Sequence, residues 1–344
     1  MPRDRDQDLV VVRLSGPADV VGVVPYRLGF APSESLVVVC LHGPRRRDRV
    51  VMRFDLPSAG GDAALADEIA VRTRLAGCDG VLLVCYTARR TAHGLPRAPL
   101  IRAVRRALRR ADLRLDEALL VARGRWWSYL CTRGGCCAPD GGTPLPERAS
   151  SAVLAYAAET VAAGGVVLPD RAALVSSVEG DRVDLAAWVA AGDEVDRLLL
   201  DPDLDALYDV ALELVGELVR RWEGGDPAVT TRDAALVAAG LADKTTRDRV
   251  MVRVLDDDAE LLSAVFVALA RVTPDAEAAP VCTVLAWFAH CAGNGVVAGA
   301  AVDRALRAEP GYEMALLIDA ALEEMQPPQV LYEIAERVRE ELAG

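Results

Sequence analysis

The chain has 344 residues, 52% of them hydrophobic, a mean hydropathy of +0.19 and a formal net charge of −12, so it is long enough for two domains with their own cores. No uninterrupted apolar run reaches the roughly 18 residues of a membrane span, and the charged start MPRDRDQD lacks the apolar core of a signal peptide. A cytoplasmic protein is expected, with no membrane partner and with its eight cysteines reduced.

The first half alternates strand and helix signals. Leu9–Leu14 (LVVVRL) reads as a strand, and PADVVGVVPYRLG reads as a helix that Pro25 ends or kinks and Gly29 stops. Ser35–Leu41 is an apolar, β-branched run that suits a buried strand, and Val50–Leu56 reads as the return strand of a hairpin. A helix over Asp62–Ala76, a strand over Gly80–Tyr86, a helix over Leu100–Arg114 and two strands over Ala118–Ala122 and Arg125–Leu130 follow. That order predicts an α/β domain with a mixed sheet over residues 1–146.

From about Pro146 the pattern turns helical. Helices are predicted over Ser150–Ala163, Asp184–Leu200, Asp203–Glu223, Thr231–Leu241, Ala259–Val272, Val281–His290, Val296–Ala308, Glu313–Met325 and Val330–Leu342. Residues 147–344 therefore read as an all-α bundle or solenoid-like domain. Leu285, Ala286, Ala298, Val302, Ala305 and Pro310 resemble one tetratricopeptide unit, but a single copy builds no groove, and an ordinary helical hairpin is the simpler reading.

Charge divides along the same line. Residues 1–150 carry 24 arginines against 16 acids, and residues 151–344 carry 15 basic groups against 35 acids. The arginine clusters are Arg45, Arg46, Arg47 and Arg49 on a hairpin loop and Arg102, Arg105, Arg106, Arg109 and Arg110 on one helix face. They can bind phosphates. Without aromatic interleaving or a known nucleic-acid module, solvated faces or a field complementary to the acidic half are preferred to a nucleic-acid partner.

The densest chemistry lies in Gly124–Leu145, GRWWSYLCTRGGCCAPDGGTPL. Strand alternation places Trp127 and Tyr129 on one face and Trp126 on the other. Cys131, Cys136 and Cys137 are three thiols where a zinc site usually needs four ligands, and two of them are adjacent, so their side chains diverge. A disulfide across the loop, a thiol activated by Arg123, Arg125 or Arg133, and plain packed cysteines are the other readings. Pro25–Ser35 adds Tyr26 and Phe30 on a helix–strand junction, where α/β sheets often form ligand clefts. Lys244 is the only lysine, and it lacks the preceding glycine of a phosphate cradle. A GxGxxG loop, a GxSxG elbow and a HExxH helix are absent, and three scattered histidines argue against a histidine-based metalloenzyme.

The stretches LSGPADVVGVVPYRLGFAPSESLVVVCL, VVMRFDLP, GVLLVCYT and GRWWSYLCTRGGCCAPDGGTPL, with LAWFAHCAGNGVVAGAAVDRALRAEPGYEMALL in the helical half, resemble the domain of unknown function 4192 family of high-GC bacteria. The resemblance covers roughly residues 9 to 328. It implies the chain organisation given above and carries no activity or site residues with it.

These features lead to the expectation of a cytoplasmic binding or assembly module for a protein or small molecule. Its site is expected at a junction of the two domains, formed by Tyr26, Phe30, Arg125, Trp127, Tyr129, Cys131, Cys136 and Cys137. No cofactor is required, with zinc on the three thiols as the metal alternative. The rivals are an enzyme of unrecognised type using a cysteine nucleophile or metal at that loop, and polyanion binding through the arginines.

Overall fold

The computed structural model describes residues 13–43, 46–58, 60–89, 94–131, 137, 141–162, 166–201 and 206–343. The chain divides into two compact units, one ending at Val167 and the other starting at Leu168.

The first unit opens with α1 (Pro17–Leu28), started by a first-turn proline and stopped by Gly29 at φ 75°. Pro25 lies inside this helix without ending it. Then follow β1 (Ser35–His42), β2 (Arg47–Asp55), α2 (Asp62–Leu75), β3 (Gly80–Tyr86), α3 (Ala98–Arg110), β4 (Arg114–Ala122), β5 (Arg125–Ser128), β6 (Thr143–Pro144) and α4 (Ser151–Ala162). The sheet order is β2-β1-β3-β4-β5-β6. Only β3 and β4 are parallel, joined by the α3 crossover; the other pairs are antiparallel, so the sheet is mixed.

Leu36, Val37, Val38 and Cys40 of β1 are all fully buried, so both faces of the sheet are covered. That burial explains why β1 and β3 read as unbroken apolar runs. α2 lies against the Phe54 side, with the Arg72 guanidinium 6.0 Å from the Phe54 ring. α1 and α4 pack on one another at Gly22, where an added Cβ would come within 2.9 Å of Val153.

Two sequence expectations shift. Of the strand expected at Leu9–Leu14, Leu9–Val12 lie outside the described residues, and Arg13 and Leu14 have no regular structure. The helix expected to reach Arg114 stops at Arg110. Asp112 takes a left-handed φ of 57°, and β4 already begins at Arg114.

The second unit is helical: α5 (Arg171–Ser176), α6 (Leu185–Leu199), α7 (Ala206–Glu223), α8 (Thr231–Gly240), α9 (Lys244–Met251), α10 (Ala259–Val272), α11 (Ala278–Cys291), α12 (Gly295–Ala308), α13 (Glu313–Glu323) and α14 (Pro328–Ala343). Side-chain oxygens start several of them, including a full capping box between Thr230 and Asp233. α11 is apolar on every side and buried along nearly its whole length, with α8, α9, α10, α12, α13 and α14 around it. A helix that is hydrophobic all round belongs inside a bundle. The α11–α12 pair that resembled a repeat unit is thus a hairpin, turned at Gly293 and capped by Asn294, with its first helix at the centre.

His290 near the end of α11 is buried and meets the Gln326 carbonyl at 2.9 Å. Burial holds its pKa below the ordinary imidazole value. On acidification the unfolded chain therefore takes up this proton first. The stability contributed here is fully present above about pH 6.5 and is lost as pH falls from there toward the folded-state value. Urea unfolding of wild type and His290→Gln between pH 7.5 and 5 checks this: the variant should lose the histidine-dependent part of the pH slope.

Candidate functional site

Strand register assembles side chains that are far apart in the chain. Ser35 of β1 lies opposite Tyr86 of β3, Tyr86 opposite Val121 of β4, and Val121 opposite Trp126 of β5. Residues directly opposite one another share a face, so these four form one transverse row. The next row, on the other face, is Phe54, Leu36, Cys85, Leu120 and Trp127. Both rows cross the sheet where the parallel pair β3–β4 ends, and open α/β sheets hold ligands at the carboxyl ends of such strands.

The first row is polar and incompletely satisfied. Ser35 is 0% exposed and Tyr86 8%. The Ser35 hydroxyl, the Tyr86 phenol and the Trp126 indole Nε1–H are each buried without a hydrogen-bond partner. Neighbouring strands are about 4.8 Å apart, so Tyr86 stands roughly 5 Å from Ser35 and 10 Å from Trp126 at the backbone. Burial raises the Tyr86 pKa, which keeps the phenol a proton donor. Buried polar groups are normally paired, and each exception asks for a reason.

The loops at this edge are tied together. Glu34, at a left-handed φ of 39°, accepts hydrogen bonds from the Thr87 hydroxyl (3.0 and 3.1 Å) and the Ala88 N–H (2.6 Å). Arg97, at φ 58°, donates from Nη1 to the Pro57 carbonyl at 2.9 Å, while its Nε is buried and unpartnered. Non-glycine residues in that region are uncommon, and strain of this kind collects at sites that hold something in place.

The tryptophan–cysteine turn joins the same edge. Trp127 is buried on the Cys85 face, and Gly142 rests on its indole. Arg125 is exposed and clamps the turn by donating to the Gly142 carbonyl at 2.8 Å. Tyr129 donates to the Pro96 carbonyl at 2.6 Å. Burial pushes the Cys85 thiol up to about 11, so it stays protonated at neutral pH and is a poor nucleophile. Cys137 accepts a hydrogen bond from the Ser128 N–H at 3.4 Å, and Cys131 is half-buried. Cys136 lies outside the described residues. Among the described residues no group of three or more His, Cys, Asp and Glu side chains could hold a metal ion.

Phe30 is a core residue and Tyr26 is half-buried on α1. The sequence singled out Trp127. Its neighbour Trp126 is the one whose N–H lacks a partner, and Ser35 and Tyr86 carried no local signal at all.

The arginine clusters are partly neutralised. Arg46 and Arg114 share Asp116, and Arg110 pairs with Asp67. Arg102, Arg105, Arg106 and Arg109 lie exposed along α3, and Arg45 is outside the described residues.

No helix of the described residues is long and apolar enough to cross a membrane. No curated protein and no solved structure matches the chain. A family model does, over residues 17–329, which takes in the sheet, both rows and the helical unit up to the start of α14; the chain belongs to the family described as Domain of unknown function (DUF4192).

Proposed function

We propose that the α/β unit is a binding module for a small, acceptor-rich polar ligand held along the Ser35–Tyr86–Trp126 row. The observation that carries this reading is the three unpartnered buried groups in one transverse line at the carboxyl end of β3 and β4. A hydroxyl, a phenol and an indole N–H offer three hydrogen-bond donors and no charge. The ligand they fit is uncharged and rich in carbonyl or hydroxyl oxygens. The tryptophan–cysteine turn covers the opposite face of the same strand end, where Gly142 rests on the Trp127 indole and Arg125 donates to the Gly142 carbonyl.

The experiment is a thermal-shift screen of the full chain against monosaccharides, nucleosides and small amides. A ligand present at 100 times its Kd stabilises by about 2.7 kcal/mol. A genuine occupant should raise the wild-type midpoint and lose that effect in both Tyr86→Phe and Trp126→Phe. Hits that shift wild type and both variants equally would bind elsewhere and remove this row as the site.

Without ligand, the same phenol has a distinctive expectation. Deleting a buried hydroxyl that has no partner relieves a desolvation cost of about 1–3 kcal/mol in general. Tyr86→Phe should therefore be neutral or stabilising in urea denaturation, by up to roughly 1 kcal/mol. A clear loss of stability would mean that the hydroxyl is already bonded in the free protein.

A further inference from the structure

The solvent sides of α2 and α3 form one basic patch. β2 and β3 both run antiparallel to β1, and β4 runs parallel to β3, so α2 and α3 return from the same end of the sheet and point the same way. Arg110 of α3 donates to Asp67 of α2 at 2.7 Å, which joins their exposed faces. Arg106 precedes Arg110 by one turn on that side, and Arg102, Arg105 and Arg109 occupy the rest of the exposed surface of α3. Val71 lies one turn on from Asp67 along α2, and Arg74 and Leu75 lie two turns on, all on the same face. Val71 is 55% exposed and Leu75 57%. α3 carries no acidic residue, and among the described residues no carboxylate pairs with Arg74, Arg102, Arg105, Arg106 or Arg109. Solvated helix faces normally mix both signs of charge; this one holds a single sign beside an exposed aliphatic pair.

The helical unit carries the counterpart. Leu316, Leu317, Ala320 and Glu323 share the exposed side of α13, while Ala315 and Ile318 face inward. Leu316 is 46% exposed and Leu317 64%. Asp319 follows Leu316 by one turn and precedes Glu323 by one turn. Burial raises the Asp319 pKa, and the carboxylates of Glu323 and of Asp303 on α12 add to it. Glu313 at the start of the helix is paired with Lys244; among the described residues no cation pairs with Asp303, Asp319 or Glu323. The result is an exposed leucine pair edged by unpaired acids.

We propose that these two surfaces bind each other between copies of the chain, the α2–α3 face of one copy docking on the α13 face of the next. Each side offers aliphatic residues for an apolar centre and a charged rim, and the rims are of opposite sign, which is how protein interfaces are composed and steered. The totals agree: 24 arginines stand against 16 acids in residues 1–150, and 15 basic groups against 35 acids in residues 151–344. A second copy fits better than nucleic acid, because phosphate contacts alone would leave Val71 and Leu75 uncovered and would give the α13 face no partner. The contact joins different patches on the two copies, so it is heterologous and adds copies head to tail. It is independent of ligand capture along the Ser35–Tyr86–Trp126 row.

The test is size-exclusion chromatography with light scattering on the full chain, over a concentration series. Wild type should exceed monomer mass at about 0.1 M salt, where charges act over about 10 Å, and dissociate at about 1 M, where they act over about 3 Å. Whole copies at −12 each repel one another, so an association without local complementarity would strengthen with salt instead. Arg106→Glu/Arg109→Glu reverses one face and Leu317→Arg/Glu323→Arg the other, all at exposed positions. Each variant alone should remain monomeric. Mixed, they should form a one-to-one dimer, since the first keeps its α13 face and the second its α2–α3 face. A wild type that is monomeric at every concentration overturns the proposal, as does an assembly that tightens with salt or a mixture that stays as two monomers. Capture of single-stranded DNA by a wild type that stays monomeric would make nucleic acid the occupant of the arginine face and overturn it too. The wild-type salt series decides the matter even if a variant does not fold.

Discussion

Replacing Arg304 by methionine should cost the helical unit about 3–5 kcal/mol, because three buried backbone carbonyls lose their donor at about 1–3 kcal/mol each. Arg304 is 1% exposed, yet every face of its guanidinium is occupied. Nη1 donates to the carbonyls of Val178 at 2.6 Å and Ala270 at 2.7 Å. Nη2 donates to the Thr273 carbonyl at 2.7 Å and to Asp275 at 3.0 Å, and Nε donates to the same carboxylate at 3.1 Å. Glu179 stands 3.7 Å away, and Gly180 leaves no room for a Cβ between the guanidinium and the Thr273 carbonyl. One side chain of α12 therefore satisfies the open carbonyls at the end of α10, the turn before α6 and the segment before α11. Methionine fills the volume but leaves these carbonyls buried and unbonded. Lysine keeps the charge but has three donors at a point rather than five in a planar fork, so Arg304→Lys should recover only a minor part. Urea denaturation followed by far-UV circular dichroism measures both. A loss below about 1 kcal/mol for Arg304→Met, the scale of an ordinary surface change, would mean that the carbonyls find other donors.

Arg304 also marks the limit of what local pattern reveals. As one arginine in GAAVDRALRA it reads as a solvated position, and only the convergence of segments more than a hundred residues apart buries it. Elements were legible where their own composition sufficed. β1 and β3 stand out because burial on both faces demands continuous Val and Leu, and α3 because its arginines and its Leu100, Ile101, Val104 and Leu108 occupy opposite sides. α9 was not anticipated, since KTTRDRVM has apolar residues only at its end; Asp243 caps it, and Arg247 is held by Asp248. The site divides in the same way. Alternation along β5 separates Trp126 from Trp127, and that much is local. Which of them faces Tyr86 and Ser35 depends on register across four strands, from residue 35 to residue 126.

The second large effect is expected at Gly142, and it bears on how firmly the strand that carries Trp126 and Trp127 is held. This residue sits at φ 78°, and a Cβ there would overlap the Trp127 indole at Cε2, Cζ2 and Nε1. Alanine thus meets two obstacles: a left-handed backbone, about 1–2 kcal/mol, and overpacking against a buried ring, about 1–3 kcal/mol. A destabilisation of about 2–5 kcal/mol is expected on those figures. Gly124 separates the two causes. It has φ 70° in the β4–β5 turn, but nothing lies within 4 Å of its would-be Cβ, so Gly124→Ala should show the backbone part alone. Adding Trp127→Ala should make the Gly142→Ala change cheaper than it is in wild type, because the ring that the new methyl strikes is gone. Urea denaturation of wild type, the three single variants and the Gly142→Ala/Trp127→Ala double variant supplies the comparison. Equal losses at Gly142 and Gly124, with no coupling to Trp127, would show that the indole yields freely and that this turn does not hold the end of β5 rigidly. A large, coupled loss at Gly142 would show a rigid turn, and rigidity there is what ligand capture along the adjacent row requires.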